Sequence, residues 1–182
     1  MRRTPDGRVD IVDENLHLAV GLAITPDQSA LLYAESGAHR LTRLRVTGPE
    51  QGRRETVFGN LPGFCANLSS FTAGRAWLVI GNPRSPALDR LATSPAWLRR
   101  LLWHAPERLY PAPSAAVWAV AIDPSGCIVD QIHGRHKHFH CATGAAESGE
   151  FLYLVGPHTS LLELDLTGPR KPGTLGCYLP AR

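Results

Sequence analysis

The feature that most constrains this chain is a succession of short apolar runs, each of strand length, divided by turn residues. Residues 8–12 alternate apolar and polar side chains after an Asp6-Gly7 turn. Residues 19–24 are apolar almost throughout and stop at Thr25-Pro26-Asp27. Residues 30–34 follow, and residues 41–46 alternate strictly. Four runs thus fall within roughly 40 residues, and a period of two marks a strand with one buried face. A second set covers 55–58, 66–71, 76–80 and 117–122, and a third covers 127–132, 138–143, 151–155 and 161–166. Four-stranded antiparallel units repeating at about 40 residues predict an all-β chain of about three β-propeller blades. A sandwich of two sheets accommodates the same strands.

One segment breaks the period. Between residues 85 and 111, Leu88, Leu91, Trp97, Leu98, Leu101 and Leu102 recur at helical spacing. Pro95 divides the segment, with Ser94 placed to cap its second half, so two short helices are expected over one end of the sheets. The domain then spans residues 1–166 with the helical insert at 85–111, and residues 167–182 form a C-terminal tail.

Composition excludes several function classes. At 182 residues and 43% hydrophobic, the chain can bury one domain core. It has no apolar run near the 18 or more residues of a membrane span, and its N-terminal residues lack the apolar core of a secretory signal. A net charge of +3, with all basic residues but Lys137 and Lys171 being Arg and none massed in a block, gives no nucleic-acid signature. Cys65, Cys127, Cys141 and Cys177 show no paired spacing, so free thiols in a cytoplasmic protein are expected.

Several motifs in order resemble a known family. These are His17-Leu18-Ala19-Val20-Gly21-Leu22-Ala23-Ile24-Thr25-Pro26-Asp27, Leu31-Leu32-Tyr33-Ala34-Glu35-Ser36, Leu61-Pro62-Gly63-Phe64-Cys65-Ala66-Asn67, Gly81-Asn82-Pro83-Arg84 and Pro95-Ala96-Trp97-Leu98-Arg99-Arg100-Leu101-Leu102. Together they are similar to strictosidine synthase-like proteins, a group that includes adipocyte plasma membrane-associated protein and sits near the gluconolactonase/regucalcin and paraoxonase lineages. The resemblance implies a six-bladed β-propeller, of which this chain holds about half, the C-terminal half. The chain is then a fragment, a mis-started gene product, or a half-propeller that pairs with a second copy; three blades leave open edges in water, so a complete chain is expected to self-associate as a homodimer.

The resemblance also implies an axial site, which this sequence alters. Val20 stands where calcium-dependent relatives carry an Asn, and Ala66 where they carry an Asp. Asn67 remains beside it as a candidate ligand-binding residue. A hard cation takes oxygen ligands, so family-type calcium is not expected. In strictosidine-forming members a catalytic Glu falls at Thr143, whose hydroxyl does not titrate near neutrality. Glu147 is the nearest carboxylate and is expected in a surface turn beside Gly149. Glu147 and His158, the latter in Gly156-Pro157-His158-Thr159-Ser160, are the candidate acid–base residues. His136, His138 and His140 alternate and would share one face of a strand, where imidazoles can take zinc, nickel or copper. Two functions follow. One is a degenerate or partial family member that binds a small molecule in its axial cleft without family-type catalysis; the other is a lactone or ester hydrolase.

Overall fold

The apolar runs form antiparallel strands and the turn residues form the hairpins between them. The structure is a computed structural model and describes residues 2–3, 5–104, 116–139, 141–157 and 160–168. A short ladder joins β1 (Arg2–Arg3) to β2 (Val9–Asp10). The first large sheet runs β3 (Ala19–Ile24), β4 (Ala30–Glu35), β5 (Arg40–Arg45) and β6 (Arg54–Phe58). The second runs β7 (Gly63–Leu68), β8 (Ala76–Pro83), β9 (Ala116–Ile122) and β10 (Ile128–Arg135). The third runs β11 (Gly144–Ser148), β12 (Phe151–Val155) and β13 (Leu161–Asp165). In each sheet every strand pairs with the next in sequence. The first strands meet across sheets, β3 against β7 and β7 against β11. They are therefore innermost, and the three sheets radiate from them as blades of a partial β-propeller. Among the described residues no helix is long and apolar enough to cross a membrane.

The strands pair one step out of phase with the grouping expected from sequence. Residues 8–12 alternate, but only Val9 and Asp10 are in a strand, and they pair with β1 rather than with β3. The first blade therefore starts at Ala19 and takes residues 54–58 as its fourth strand. The insert consequently joins the second and third strands of a blade, as α1 (Pro86–Ala92) and α2 (Ala96–Trp103). Ser94 turns back rather than forward: its hydroxyl donates to the Leu91 carbonyl at 2.6 Å. Trp97 is 66% exposed, so it does not pack onto the blades. Among the described residues of 138–143 none is in a strand: Cys141 adopts a left-handed backbone (φ 54°) and Phe139 is buried. Cys127 is disulfide-bonded, so the expectation of free thiols fails there, whereas Cys65 and Cys141 are free. Sequence spacing does not report pairs that only the fold brings together.

Two apolar layers hold the blades together. Ala23, Leu32, Leu41 and Phe58 of the first sheet pack on Leu68, Leu78, Ile80 and Val120 of the second. The opposite face of the second sheet presents Trp77, Val79, Val117 and Ala121 to Phe139, Ala142, Leu152 and Leu154. The middle strands of the second sheet are covered on both faces, which explains why β8 and β9 are apolar almost without a break. Gly21 sets how closely the inner strands approach. It sits at a bulge in β3 with φ 59°, and a Cβ there would lie 2.2 Å from the Leu68 nitrogen and 2.7 Å from the Asn67 carbonyl carbon.

This contact predicts the effect of adding a methyl group. Gly21→Ala should cost about 2–4 kcal/mol, because strain and a backbone clash coincide. Gly52→Ala, at φ 87° with open space around it, should cost only about 1 kcal/mol. Urea midpoints of both variants would measure this, and equal losses would mean that β3 and β7 are not in backbone contact.

Candidate functional site at the inner strands

Antiparallel meandering gathers one set of strand ends. Ala19 pairs with Glu35 and Glu35 with Arg40; Gly63 pairs with Pro83; Arg135 pairs with Ala116; Gly144 pairs with Val155. The insert leaves from the end of β8, so α1 and α2 belong to this same end. Arg84 anchors that connection. Its Nη1 donates to Asn60 Oδ1 at 2.8 Å, its Nε to Asp89 Oδ2 of α1 at 3.1 Å, and its backbone N–H to the Pro62 carbonyl at 2.9 Å.

A buried carboxylate braces the first blade here. The Glu35 side chain has no exposed surface. Its Oε1 accepts from Arg40 Nε at 2.8 Å and Thr42 Oγ1 at 2.7 Å, and its Oε2 accepts from Arg40 Nη2 at 2.9 Å and the His17 backbone N–H at 3.0 Å. Burial pushes the carboxyl up, but these donors outweigh it and hold it at about 2. The His17 bond ties the segment entering β3 to the end of β4. His39, with φ 49°, places Nδ1 3.0 Å from the Gly63 carbonyl, and its ring lies 4.7 Å from that of Phe64. A carbonyl only accepts, so that nitrogen carries the proton.

The altered axial positions lie on adjoining inner strands, with the Val20 side chain packed against the core between the first and second sheets. Val20 precedes Gly21, which touches the Asn67–Leu68 backbone. The Asn67 N–H donates to the Thr143 carbonyl at 3.1 Å, and the Thr143 N–H donates to the Val155 carbonyl at 2.7 Å. Ala66 faces Gly81: a methyl on Gly81 would lie 3.9 Å from Ala66 Cβ, 3.8 Å from Cys141 Sγ and 3.3 Å from the Ala142 carbonyl oxygen. Asn82 Nδ2 donates to Cys141 Sγ at 3.5 Å. The group therefore holds one exposed amide, Asn67, one hydroxyl, Thr143, and apolar Val20 and Ala66. A divalent cation of the calcium type takes six to eight oxygens, and the four positions Val20, Ala66, Asn67 and Thr143 supply side-chain oxygen only from Asn67 and Thr143. They do not fit that ion.

The remaining candidates stand apart from this group. Glu147 lies in β11, not in a surface turn, and its side chain is 2% exposed. It accepts from Arg75 Nε and Nη2, each at 2.9 Å, and from Trp77 Nε1 at 2.5 Å. Burial pushes its carboxyl up, yet these donors hold it below the ordinary range. Arg75 also approaches Asp130, at 3.6 Å. Glu147 therefore braces the second blade against the third. His136 and His138 lie in the exposed loop after β10 rather than on a strand; their rings are 6.3 Å apart, and the His138 N–H donates to His136 Nδ1 at 3.3 Å. Among the described residues no three His, Cys, Asp or Glu side chains come together to hold a metal ion. His140 and His158 lie outside the described residues. Sequence reasoning gave no role to His39, Asn82 or Cys141 at this end; Gly81-Asn82-Pro83-Arg84 was a local signal for one of them.

Comparison with known proteins bears on the same residues. An adipocyte plasma membrane-associated protein of Salmo salar is 32% identical over 117 residues, covering 57% of this chain and 28% of that protein. Strictosidine synthase-like protein 13 of Arabidopsis thaliana is 34% identical over 102 residues, covering 56% of this chain and 25% of that protein. The chain is a homologue of the strictosidine synthase-like proteins. It spans less than half the length of these curated relatives, including the Rattus norvegicus adipocyte plasma membrane-associated protein, of which it covers 44%. A solved luciferin-regenerating enzyme superposes on 82% of this chain and 40% of its own with a TM-score of 0.52 at 15% identity, which supports the propeller fold alone. No family model matches the chain.

The two braces predict opposite kinds of sensitivity. A carboxyl ordinarily near 4.5 and held at about 2 contributes about 3 kcal/mol above pH 4.5, lost as pH falls toward 2. Glu35→Gln should lower stability at neutral pH and flatten its fall between about pH 5 and pH 2.5, as read by urea titration at each pH. Arg75→Met leaves Glu147 buried without its cation and should cost about 3–5 kcal/mol. The double variant Arg75→Met/Glu147→Leu should recover most of that loss in thermal melts. A double variant no more stable than the single one would show that the pair is not what makes Arg75 matter.

Proposed function

We propose that this chain is a strictosidine synthase-like propeller protein that binds a small molecule in its axial cleft without the proton-transfer or calcium chemistry of its relatives. The observation that carries this reading is the meeting of Ala66, Asn67 and Thr143 at the inner strands, with Gly21, next to Val20, against the Asn67–Leu68 backbone. An amide, a hydroxyl and apolar side chains suit a neutral ligand. They offer no group that exchanges a proton near neutrality. The two buried carboxylates nearest this end and the third blade, Glu35 and Glu147, are fully engaged by Arg40 and Arg75. Self-association belongs to the same proposal, supported by the apolar side chains exposed on the end sheets, Leu22 and Ile24 on the first and Phe151 and Val155 on the third.

The test pairs binding with turnover. An aldonolactone and an aryl ester, the bond types of the hydrolase alternative, would be titrated by intrinsic fluorescence and assayed for hydrolysis with and without EDTA. Binding without turnover is expected, with Asn67→Ala weakening binding about tenfold, the loss of one good hydrogen bond. Hydrolysis above the buffer rate that EDTA abolishes would sink this reading in favour of a metal-dependent hydrolase.

A further inference from the structure

The first and second blades touch at their inner strands and leave a wedge between their outer ones. One wall is the face of the second sheet turned toward the first, where Trp118, Val120 and Ile128 join the layer between the two sheets. The other begins at Phe58, where β6 ends, and continues along residues 59–62, the link from the outermost strand of the first blade to the innermost of the second. One end of the wedge is shut. A Cβ on Gly126, in the turn between β9 and β10, would lie 2.2 Å from Val57 Cγ1, and Arg43 Nη2 donates to the Pro124 carbonyl at 3.1 Å. What remains is an open pocket of about 310 Å³. Its walls and the link between them are consecutive elements of this chain, so its shape is set by these two blades. None of Val20, Ala66, Asn67 and Thr143 lines it.

The lining suits a neutral molecule. Phe58, Leu61, Val120, Trp118 and Ile128 are apolar, Gln131 brings an amide, and no lining residue is charged. Apolar walls with a few polar groups are the usual form of a small-molecule site, and the volume is at the small end of that class. Trp118 supplies the observation that points to a ligand. Its Nε1 is buried and has no hydrogen-bond partner. Nearly every buried N–H in a folded protein has an acceptor, so an orphan calls for one from outside the chain. The indole is held on this face of the sheet. Its neighbours in β9, Val117 and Ala119, pack toward the third sheet, and His133, its partner on β10, lies against it with ring centroids 4.5 Å apart. We infer that the wedge is a second ligand site, separate from the axial cleft, that takes a small neutral molecule carrying an apolar ring and a carbonyl oxygen. The ring packs on Phe58, Leu61, Val120 and Ile128. The carbonyl oxygen accepts from Trp118 Nε1, and an N–H of the ligand, as in an amide, donates to the side-chain oxygen of Gln131. The inference is independent of ligand binding at the inner strands.

Acetanilide, a neutral amide with one aromatic ring, is the probe, titrated into the full chain isotope-labelled at its tryptophan indoles. The chain has four Trp, and the Trp118 indole N–H signal is the one missing from Trp118→Phe. That signal should move saturably, with a dissociation constant on the order of 1 mM or below. Trp118→Phe keeps an aromatic ring but removes the donor, and should weaken binding about tenfold as read from the probe's own signals. Gln131→Phe puts a ring into the pocket from a strand, where aromatic residues are well tolerated. Its Trp118 signal should be present, which reports an intact fold, and should stay still when acetanilide is added. Asn67→Ala should leave the titration unchanged. A wild-type Trp118 signal that does not move means that water alone meets this N–H, and overturns the inference. A shift that survives Gln131→Phe overturns it too, as does binding to Trp118→Phe as tight as to the wild type. A shift abolished by Asn67→Ala puts the probe in the axial cleft, which overturns the wedge site and favours the axial one.

Discussion

Everything in this fold depends on a central sheet whose two middle strands, β8 and β9, have almost no face in water. Along β8, Trp77 and Val79 point to the third sheet, whereas Leu78 and Ile80 point to the first. A slip of one residue would exchange these two sets, so the register of β8 fixes both interfaces at once. The inner strands then have to approach closely enough for both layers to close. Gly21 permits that for β3 and β7. Gly63 does the same for β7 and β8, since a Cβ there would lie 2.4 Å from the Asn82 carbonyl oxygen and from Ile80 Cγ2. The approach of Ala66, Asn67 and Thr143 at the inner strands is thus a by-product of core packing.

Much of this was legible along the chain, for a definite reason. Runs such as residues 76–80 and 117–122 are apolar because both sides of those strands are buried, and the periodicity of the insert reports two real helices. The phase of the blades was not legible. Residues 8–12 have the pattern of a strand but lie where no blade strand pairs with them. Gly-Ala-Ala-Glu-Ser, the sequence of β11, has no β-branched or aromatic residue, and its extended form depends on pairing with β12. The site divides in the same way. Resemblance identified its inner-strand positions, but nothing local joins Glu147 to Arg75, 72 residues away, or reports that His136 and His138 sit in a loop.

The end blades show what the central one gains. Their inward faces are as apolar as those of the second sheet, and Leu32, Leu41, Leu152 and Leu154 are buried. Their outward faces carry side chains of the same kind without cover. At about 25 cal/mol per Å² of apolar surface, each uncovered Leu, Ile or Phe forgoes roughly 1–2 kcal/mol that a neighbouring blade would supply. Residues 12–16 recover part of this at the first blade by lying across Leu31, Tyr33 and Leu44. Nothing comparable among the described residues crosses Phe151 and Val155.

The use of carboxylates separates architecture from chemistry. A catalytic acid needs a value near the working pH and a path to substrate. Glu35 and Glu147 have the burial that raises such values, but each also has an Arg and at least one further donor, and both are held low instead. Removing the donors to free either acid would also loosen a blade: Arg40 and Thr42 hold the strand ends of the first, and Arg75 holds the second to the third. A proton-transfer role for these residues would therefore conflict with the packing that joins the blades. The inner strands keep Asn67 and Thr143, an amide and a hydroxyl that do not change charge near neutrality.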